Sequence, residues 1–146
     1  MPDKPIIYYA DDDIDDLEIF KEASQTLNVE IRTFTNGKVL LDALQDSGEI
    51  PALIFVDLNM PVMDGYEVIK CIRAIEKFEH VPSVVLSTAS DHISVVKSRE
   101  AGANYFITKP TSIAKLLLAI AHTIRIDWNK FKPTYGEFIH KHDVDL

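Results

Sequence analysis

The sequence predicts an α/β fold: a doubly wound five-stranded parallel sheet with strand order 2-1-3-4-5 and helices on both faces. Short apolar runs alternate with segments of helical apolar spacing, and five such strand–helix units fit within about 125 residues. The second run alternates apolar and polar residues, which is typical of an edge strand, whereas the middle runs are apolar throughout. The 146 residues therefore fit one domain.

Five segments are predicted strands. The first is short, apolar and partly β-branched, the second alternates, and the later ones are apolar runs that end at polar residues. The predicted strands are Ile6–Ala10, Val29–Phe34, Leu53–Val56, Val84–Leu86 and Tyr105–Ile107.

A helix is predicted after each strand, because apolar residues recur three or four positions apart. The first begins at Asp13, Asp64 caps the third, and the fourth is a weaker pattern from Asp91 to Ala101 that Gly102 ends. The residues predicted to face the core are Ile14, Leu17, Phe20, Ala23 and Leu27 in the first helix, Leu40, Leu41 and Leu44 in the second, Val68, Ile69, Ile72 and Ile75 in the third, and Ile113, Leu116, Leu117, Ile120, Ala121 and Ile124 in the fifth.

Composition excludes several classes of function. The sequence has 23 acidic and 15 basic residues, a formal net charge of −8, which argues against binding to nucleic acid or to anionic membranes. Cys71 is the one cysteine, so no intramolecular disulfide is possible, and we expect it to be a small buried side chain. No apolar run reaches the roughly 18 residues of a membrane span, and the N-terminus lacks a signal-peptide pattern. We therefore expect a cytoplasmic protein.

Polar residues follow the predicted strands at the point where each strand ends. Asp11 and Asp12 follow the first strand, Asp57 the third, Ser87 the fourth and Lys109 the fifth. In the 2-1-3-4-5 order the first and third strands are neighbours, so we expect the three carboxylates to converge at one edge of the sheet. The hydroxyl and the ammonium group should then lie on the other side of the same pocket.

This set of groups is suited to phosphoryl transfer. Three crowded carboxylates repel one another, and oxygen ligands beside open solvent are the kind that bind Mg²⁺. A cation, a hydroxyl and a lysine around one carboxylate provide a nucleophile and the positive charge that its reaction with phosphate needs. A simpler interpretation is that residues 11–13 only cap the first helix, whose dipole favours acidic side chains. The polar residues at the other strand ends argue against it.

Four short motifs carry a family resemblance. They are Ala-Asp-Asp at residues 10–12, Asp-Leu-Asn-Met-Pro-Val-Met-Asp-Gly at 57–65, Leu-Ser-Thr-Ala at 86–89 and Lys-Pro at 109–110. Over residues 4–125 the chain resembles the receiver domain of two-component response regulators, chemotaxis regulators among them. The resemblance implies a flavodoxin-like fold, whose known strand order in this family is the one predicted above.

The resemblance also implies roles for the residues at the strand ends. Asp57 would be the phospho-acceptor, and Lys109 would pair with a phosphoryl oxygen. The side chains of Asp12 and Asp57 and the backbone carbonyl of Asn59 would bind Mg²⁺, with Asp11 acting mainly through water. Because three aspartates stand in a row, the acidic pair could be shifted by one residue; we assign it to Asp11 and Asp12.

Ser87 and Phe106 would form the switch. Ser87 stands where many relatives have threonine and would hydrogen-bond a phosphoryl oxygen. Phe106, three residues before Lys109, stands where the family has tyrosine or phenylalanine. The family commonly has a cis bond before the proline at position 110, which would aim Lys109 into the site.

The expected function is that of a single-domain response regulator, a signalling module rather than an enzyme, which a histidine kinase or a phosphotransfer protein phosphorylates. The alternative is a phosphorylation-independent interaction scaffold on the same fold. We place the receiver domain at residues 4–128 and an irregular tail at 129–146. The tail aromatics either fold back on the domain or extend a partner surface, including a possible homodimer face of helix 4, strand 5 and helix 5. These aromatics are Trp128, Phe131, Tyr135 and Phe138.

Overall fold

Five parallel strands form one sheet in the computed structural model, which describes residues 4–142. The strand order is β2-β1-β3-β4-β5, which confirms the predicted fold class and topology. The strands are β1 (Ile6–Ala10), β2 (Glu30–Phe34), β3 (Leu53–Val56), β4 (Ser83–Ser87) and β5 (Tyr105–Thr108).

Helices follow the strands, and each begins at a side chain that caps its first backbone N–H groups. The helices are α1 (Ile14–Ala23), α2 (Gly37–Asp46), α3 (Gly65–Ala74), α4 (His92–Ala101), α5 (Ile113–Arg125) and the single turn α6 (Tyr135–Phe138), with a 3₁₀ turn at Glu76–Phe78. The prediction that α1 reaches Leu27 is wrong. The Ser24 hydroxyl donates to the Phe20 carbonyl at 2.8 Å, and the helix ends there.

The two faces of the sheet bury separate cores. Tyr8 points into the core beneath α2, α3 and α4, and its neighbour Tyr9 points into the core beneath α1 and α5. Ile14 and Ile113 were predicted to be buried, but they are 64% and 44% exposed. Each is the first residue of its helix, ahead of the turns that contact the sheet. These two side chains border the carboxyl end of the sheet instead of filling the core.

Composition predicts a buried cysteine and no membrane-spanning segment. Cys71 is half-buried on α3 and packs against the edge of one core, so it is less buried than expected. In the part of the chain that the structure describes, no helix is long and apolar enough to cross a membrane.

The described part of the tail, residues 129–142, is more ordered than the sequence pattern predicts; residues 143–146 lie outside the described chain. After α6, Ile139 forms a parallel bridge with Phe106, and the His140 N–H donates to the Phe106 carbonyl at 2.8 Å. Phe138 is buried and packs against Phe106. We call this contact of residues 131–142 with β5 and α4 the tail seam. It covers the edge of the last strand of the sheet.

Candidate functional site

Three carboxylates meet at the carboxyl ends of β1 and β3. The Asp57 N–H donates to the Ala10 carbonyl at 3.0 Å, which continues the pairing of the two strands and sets Asp57 beside Asp11. Asp11 is 0% and Asp57 5% exposed, whereas Asp12 faces solvent. One oxygen of each carboxylate lies within 4.8 Å of the other two. The structure therefore brings together the three aspartates that the sequence singled out.

The Asp11 carboxylate is bound largely by the protein itself. Its Oδ2 accepts hydrogen bonds from the Tyr9 hydroxyl at 2.5 Å and from Lys109 Nζ at 2.7 Å. Its Oδ1 accepts from the Asp13 N–H at 2.9 Å. Burial and the neighbouring negative charge of Asp11 raise the pKa of the Tyr9 hydroxyl, which therefore stays a donor. Asp11 thus anchors its neighbours and has little capacity left for a directly bound ion.

Asp13 has a different task from the two aspartates before it. It is the N-cap of α1, and its Oδ1 accepts from the Asp15 N–H at 2.9 Å and the Asp16 N–H at 3.4 Å. The cap uses this carboxylate within the helix and leaves Asp11 and Asp12 to face Asp57.

Lys109 enters the pocket from the end of β5 and meets three carboxylates. Its Nζ lies 2.7 Å from Asp11 Oδ2, 2.7 Å from Asp16 Oδ2 and 3.7 Å from Asp57 Oδ1. Burial alone would lower the pKa of the ammonium group, but the hydrogen bonds to Asp11 and Asp16 outweigh it and raise the pKa of Lys109 to about 12. Lys109 is therefore a fixed positive charge at neutral pH.

The backbone explains how Lys109 is aimed. Its N–H donates to the Ser87 carbonyl at 2.8 Å, which extends the pairing of β5 with β4. The described residues contain no cis peptide bond, so the expected cis bond before Pro110 is wrong for this structure. The strand pairing and the ion pairs direct the side chain into the pocket without it.

The pKa of the Asp57 carboxyl is higher than is usual for an aspartate. Burial and the negative charge of Asp11 raise the pKa of Asp57 from 3.8 to about 6, against the opposing effect of the Lys109 charge. A carboxylate held in this way is destabilised when ionised. Positive charge placed beside it, from a bound cation, would relieve that cost.

The donor set fits a hard divalent cation. Carboxylate oxygens within reach of one another at a partly open site are typical Mg²⁺ ligands, and no soft sulfur or imidazole ligand is among them. Asn59, two residues after Asp57, is exposed in the loop that follows β3. That loop is held closely by α3, since a Cβ at Gly65 would lie 2.4 Å from the Asp57 carbonyl oxygen. The close approach explains why a residue without a side chain stands at the start of α3.

The predicted switch residues lie on the neighbouring strands. Ser87 is fully buried at the end of β4, and its Oγ accepts from the Ala89 N–H at 3.3 Å. Its hydroxyl also lowers the pKa of Asp57 by hydrogen bonding, although burial dominates there. Phe106 is fully buried on β5 beneath the tail seam, with Phe138 against its ring.

Sequence reasoning missed two residues of the pocket, Tyr9 and Asp16. Tyr9 lies within the first predicted strand and Asp16 within the first predicted helix, and neither was predicted to belong to the site. Both reach Lys109 or its partner Asp11 only because β1, α1 and β5 meet at this end of the sheet. The local signal is that Asp16 is an acidic residue in the first turn of α1, after the cap Asp13.

The sequence profile of the response regulator receiver domain matches residues 7–121. Response regulator Rcp1 of Synechocystis is 31% identical over 118 residues, 76% of this chain and 80% of Rcp1. Protein PilG of Pseudomonas aeruginosa is 32% identical over 111 residues, 73% of this chain and 81% of PilG. Other relatives are longer: the chain spans 50% of the transcriptional regulatory protein PrrA of Mycobacterium leprae and 16% of the sensor histidine kinase CheAY of Helicobacter pylori.

Two solved response regulator structures have the same fold as this chain. The phosphorylated cyanobacterial phytochrome response regulator RcpA superposes with a TM-score of 0.75 at 27% identity, covering 89% of this chain and 97% of RcpA. The Mn²⁺-bound form of Rcp1 superposes with a TM-score of 0.71 at 26% identity, covering 88% and 97%. Receiver domains are signalling domains that bind Mg²⁺ at an acidic pocket. The chain belongs to the response regulator receiver domain family of two-component systems.

Proposed function

We propose that Asp57 accepts a phosphoryl group, with the help of Mg²⁺, from a histidine kinase or a histidine phosphotransfer protein. One observation carries the proposal: the buried Asp57 carboxylate has two other carboxylates within 4.8 Å and the Lys109 ammonium 3.7 Å away. This combination of a nucleophile, a cation site and a fixed positive charge is what phosphoryl transfer to a carboxylate requires.

The chemistry follows from the positions of these groups. An Asp57 oxygen bonds to phosphorus while the bond from phosphorus to the donor's histidine nitrogen breaks, and that nitrogen is protonated as it leaves. Mg²⁺, held by Asp12, Asp57, the Asn59 carbonyl and, through water, Asp11, would neutralise charge on the phosphoryl oxygens. Lys109 supplies positive charge from the opposite side.

The phosphoryl group then acts as a switch. In our proposal the Ser87 hydroxyl donates to a phosphoryl oxygen, Phe106 adjusts to the space, and the face of α4, β5 and α5 changes shape. The connection is short: Ser87 pairs with Thr108 in the sheet, and the Phe106 carbonyl holds the tail through His140. Shifting a population from 1% to 99% active needs about 5.5 kcal/mol, to which charge-assisted bonds to Lys109 and Ser87 contribute.

The receiver domain of residues 4–128 and the tail of 129–146 would together form the output surface. Tail residues lie over the β5 part of this face, while Ile93 on α4 is 70% and Tyr135 on α6 37% exposed. We propose that this surface, tail included, makes a homodimer after phosphorylation. Light scattering with and without beryllofluoride tests it, and a mass that stays monomeric in both states contradicts it.

We propose a single-domain regulator that assists its own phosphorylation and dephosphorylation and has no separate substrate. The chain matches 80% of the response regulator Rcp1 and 81% of PilG. The second candidate is a phosphorylation-independent scaffold, for which a complete acidic pocket would have no use. The cytoplasmic location expected from the sequence stays a prediction.

The test is the intact mass after incubation with acetyl phosphate, with and without Mg²⁺. We expect one added phosphoryl group that needs both Mg²⁺ and Asp57, and none on Asp57→Asn. Asp91→Asn is the matched control, since Asp91 is an exposed helix cap on α4. Because fast hydrolysis could hide the adduct, binding of beryllofluoride is measured in parallel. If the folded protein gained no phosphoryl group and bound no beryllofluoride, the proposed function would be contradicted.

A further inference from the structure

Asp16 on α1 lies outside the predicted site. Asp16 Oδ2 lies 2.7 Å from Lys109 Nζ, a contact between residues 93 positions apart in sequence. Among the described residues, the carboxylates within 4.0 Å of that ammonium group are those of Asp11, Asp16 and Asp57. The first two are at 2.7 Å and the acceptor is at 3.7 Å. Lys109 is thus bound to its neighbours more closely than to the acceptor.

The ammonium group has three N–H donors, and two of them serve Asp11 and Asp16. Asp11 is fully buried and is tied also to Tyr9 and to the backbone, so it holds Lys109 within the pocket. The Asp16 side chain is 31% exposed, so water can replace Lys109 there at low cost. Asp16 is therefore the partner that Lys109 can leave.

A phosphoryl group on Asp57 would bring about two negative charges and three acceptor oxygens within reach of Lys109. Resting on the proposed function, we propose that Asp16 is a positioning residue that competes with the phosphoryl group for Lys109. In the unphosphorylated protein it draws the ammonium group toward α1. Phosphorylation moves Lys109 toward Asp57 and leaves Asp16 to solvent. Asp16 thereby lowers the affinity of the pocket for a phosphoryl group.

The test compares Asp16→Asn with Asp15→Asn in the full chain, using beryllofluoride and Mg²⁺ as the probe. Asp15 is the adjacent exposed acidic residue in the same helical turn, so its variant makes the same change in charge near the pocket. We expect Asp16→Asn to bind beryllofluoride about fivefold more tightly than the wild type, because a partly exposed ion pair no longer competes. Asp15→Asn and Asp16→Glu, which keeps the charge, should bind like the wild type.

A second readout separates competition from a change in the cation site. Mg²⁺ affinity, measured by calorimetry without beryllofluoride, should change equally little in Asp16→Asn and Asp15→Asn, because Asp16 is outside the carboxylate cluster. Urea unfolding of the same variants shows whether each one is folded under the conditions of the assay.

Each outcome decides the inference. Tighter beryllofluoride binding in Asp16→Asn alone supports it. Weaker binding in Asp16→Asn would mean that Asp16 holds Lys109 in its productive position. An equal change in Asp16→Asn and Asp15→Asn would mean that only net charge matters. Either result, or unchanged binding in Asp16→Asn, overturns the inference and leaves the proposed function intact. A wild type that binds no beryllofluoride and accepts no phosphoryl group overturns both.

Discussion

The acidic pocket and the tail seam lie at different edges of one sheet and are stabilised in opposite ways. In the pocket, the partly buried Lys109 ammonium group lies within 4.0 Å of three carboxylates, those of Asp11, Asp16 and Asp57. Burial and the charge of Asp11 raise the pKa of Asp57 to about 6. In the seam, aromatic rings pack and the His140 N–H donates to the Phe106 carbonyl at 2.8 Å. The pocket is therefore poised to gain stability from a ligand, whereas the seam already has its partners.

The two regions should therefore respond to different changes. A site with unrelieved charge responds strongly to a cation, a phosphoryl group or a proton. A seam of packed rings and backbone hydrogen bonds responds only when its neighbours move. Phe106 belongs to the seam and lies three residues before Lys109, which belongs to the pocket. The four residues 106–109 are the direct covalent route between the two regions.

The largest expected effect is in the seam. Phe138→Ala should lower the free energy of unfolding by about 4 kcal/mol, because a buried ring is lost beside Phe106. Urea unfolding measures it, and Tyr135→Ala, at a side chain 37% exposed on the same turn, should cost far less. Equal losses in the two variants would show that the seam does not depend on Phe138. Mg²⁺ binding at the pocket should be unchanged in both.

In the pocket, Asp57→Asn should raise the free energy of unfolding at pH 7 in the absence of Mg²⁺. A pKa raised from 3.8 to about 6 corresponds to about 3 kcal/mol of destabilisation by the ionised carboxylate. The penalty is absent well below pH 3.8, where Asp57 is protonated in both states, and approaches its full value above about pH 6. The gain of the variant should therefore grow from zero to its full value across this window.

Urea unfolding of the wild type and Asp57→Asn at pH 4, 5, 6 and 7 measures that gain. Asp91→Asn serves as the control, because Asp91 is fully exposed and its pKa is lowered by the Ser94 side chain and backbone. A pH-independent gain in Asp57→Asn would contradict the charge argument.

Magnesium should stabilise the pocket and leave the seam unchanged. At a concentration one hundred times its dissociation constant, Mg²⁺ should raise the free energy of unfolding of the wild type by about 2.7 kcal/mol. Phe138→Ala should gain the same increment, and Asp57→Asn a smaller one, since one carboxylate ligand is lost. If Phe138→Ala lost the increment, the two regions would be coupled before phosphorylation, contrary to our expectation.

The smallest effect is at the buried hydroxyl of Tyr105. It lies 2.7 Å from His140 Nδ1, so Tyr105→Phe should cost about 1 kcal/mol in unfolding by urea. Tyr66→Phe is a suitable comparison, because the Tyr66 hydroxyl is 3.5 Å from the Ser94 carbonyl and should contribute less. A larger cost at Tyr66 would reverse the order that these distances predict.

Local sequence patterns predicted the strands, their order and the aspartates because each depends on neighbouring residues or on the ends of strands. The cap Asp64 and the helix end at Gly102 were predicted for the same reason. Patterns could not predict Asp16 beside Lys109, since that ion pair joins residues 93 apart and needs the packed fold.

The tail seam was equally outside the reach of local patterns. Spacing of aromatics identified Phe138 as notable but could not decide between folding back and an exposed surface. The tail folds back because Ile139 pairs with Phe106 at the open edge of β5. This edge exists only once the sheet has formed.

A phosphoryl group on Asp57 should weaken the contacts of the tail seam. The direct measurement is hydrogen exchange of the His140 amide, which is bonded to the Phe106 carbonyl, in the full chain with Mg²⁺, with and without beryllofluoride. We predict faster exchange when beryllofluoride is bound to the wild type and no change in Asp57→Asn. Unchanged exchange in a wild type that has bound beryllofluoride would contradict the account.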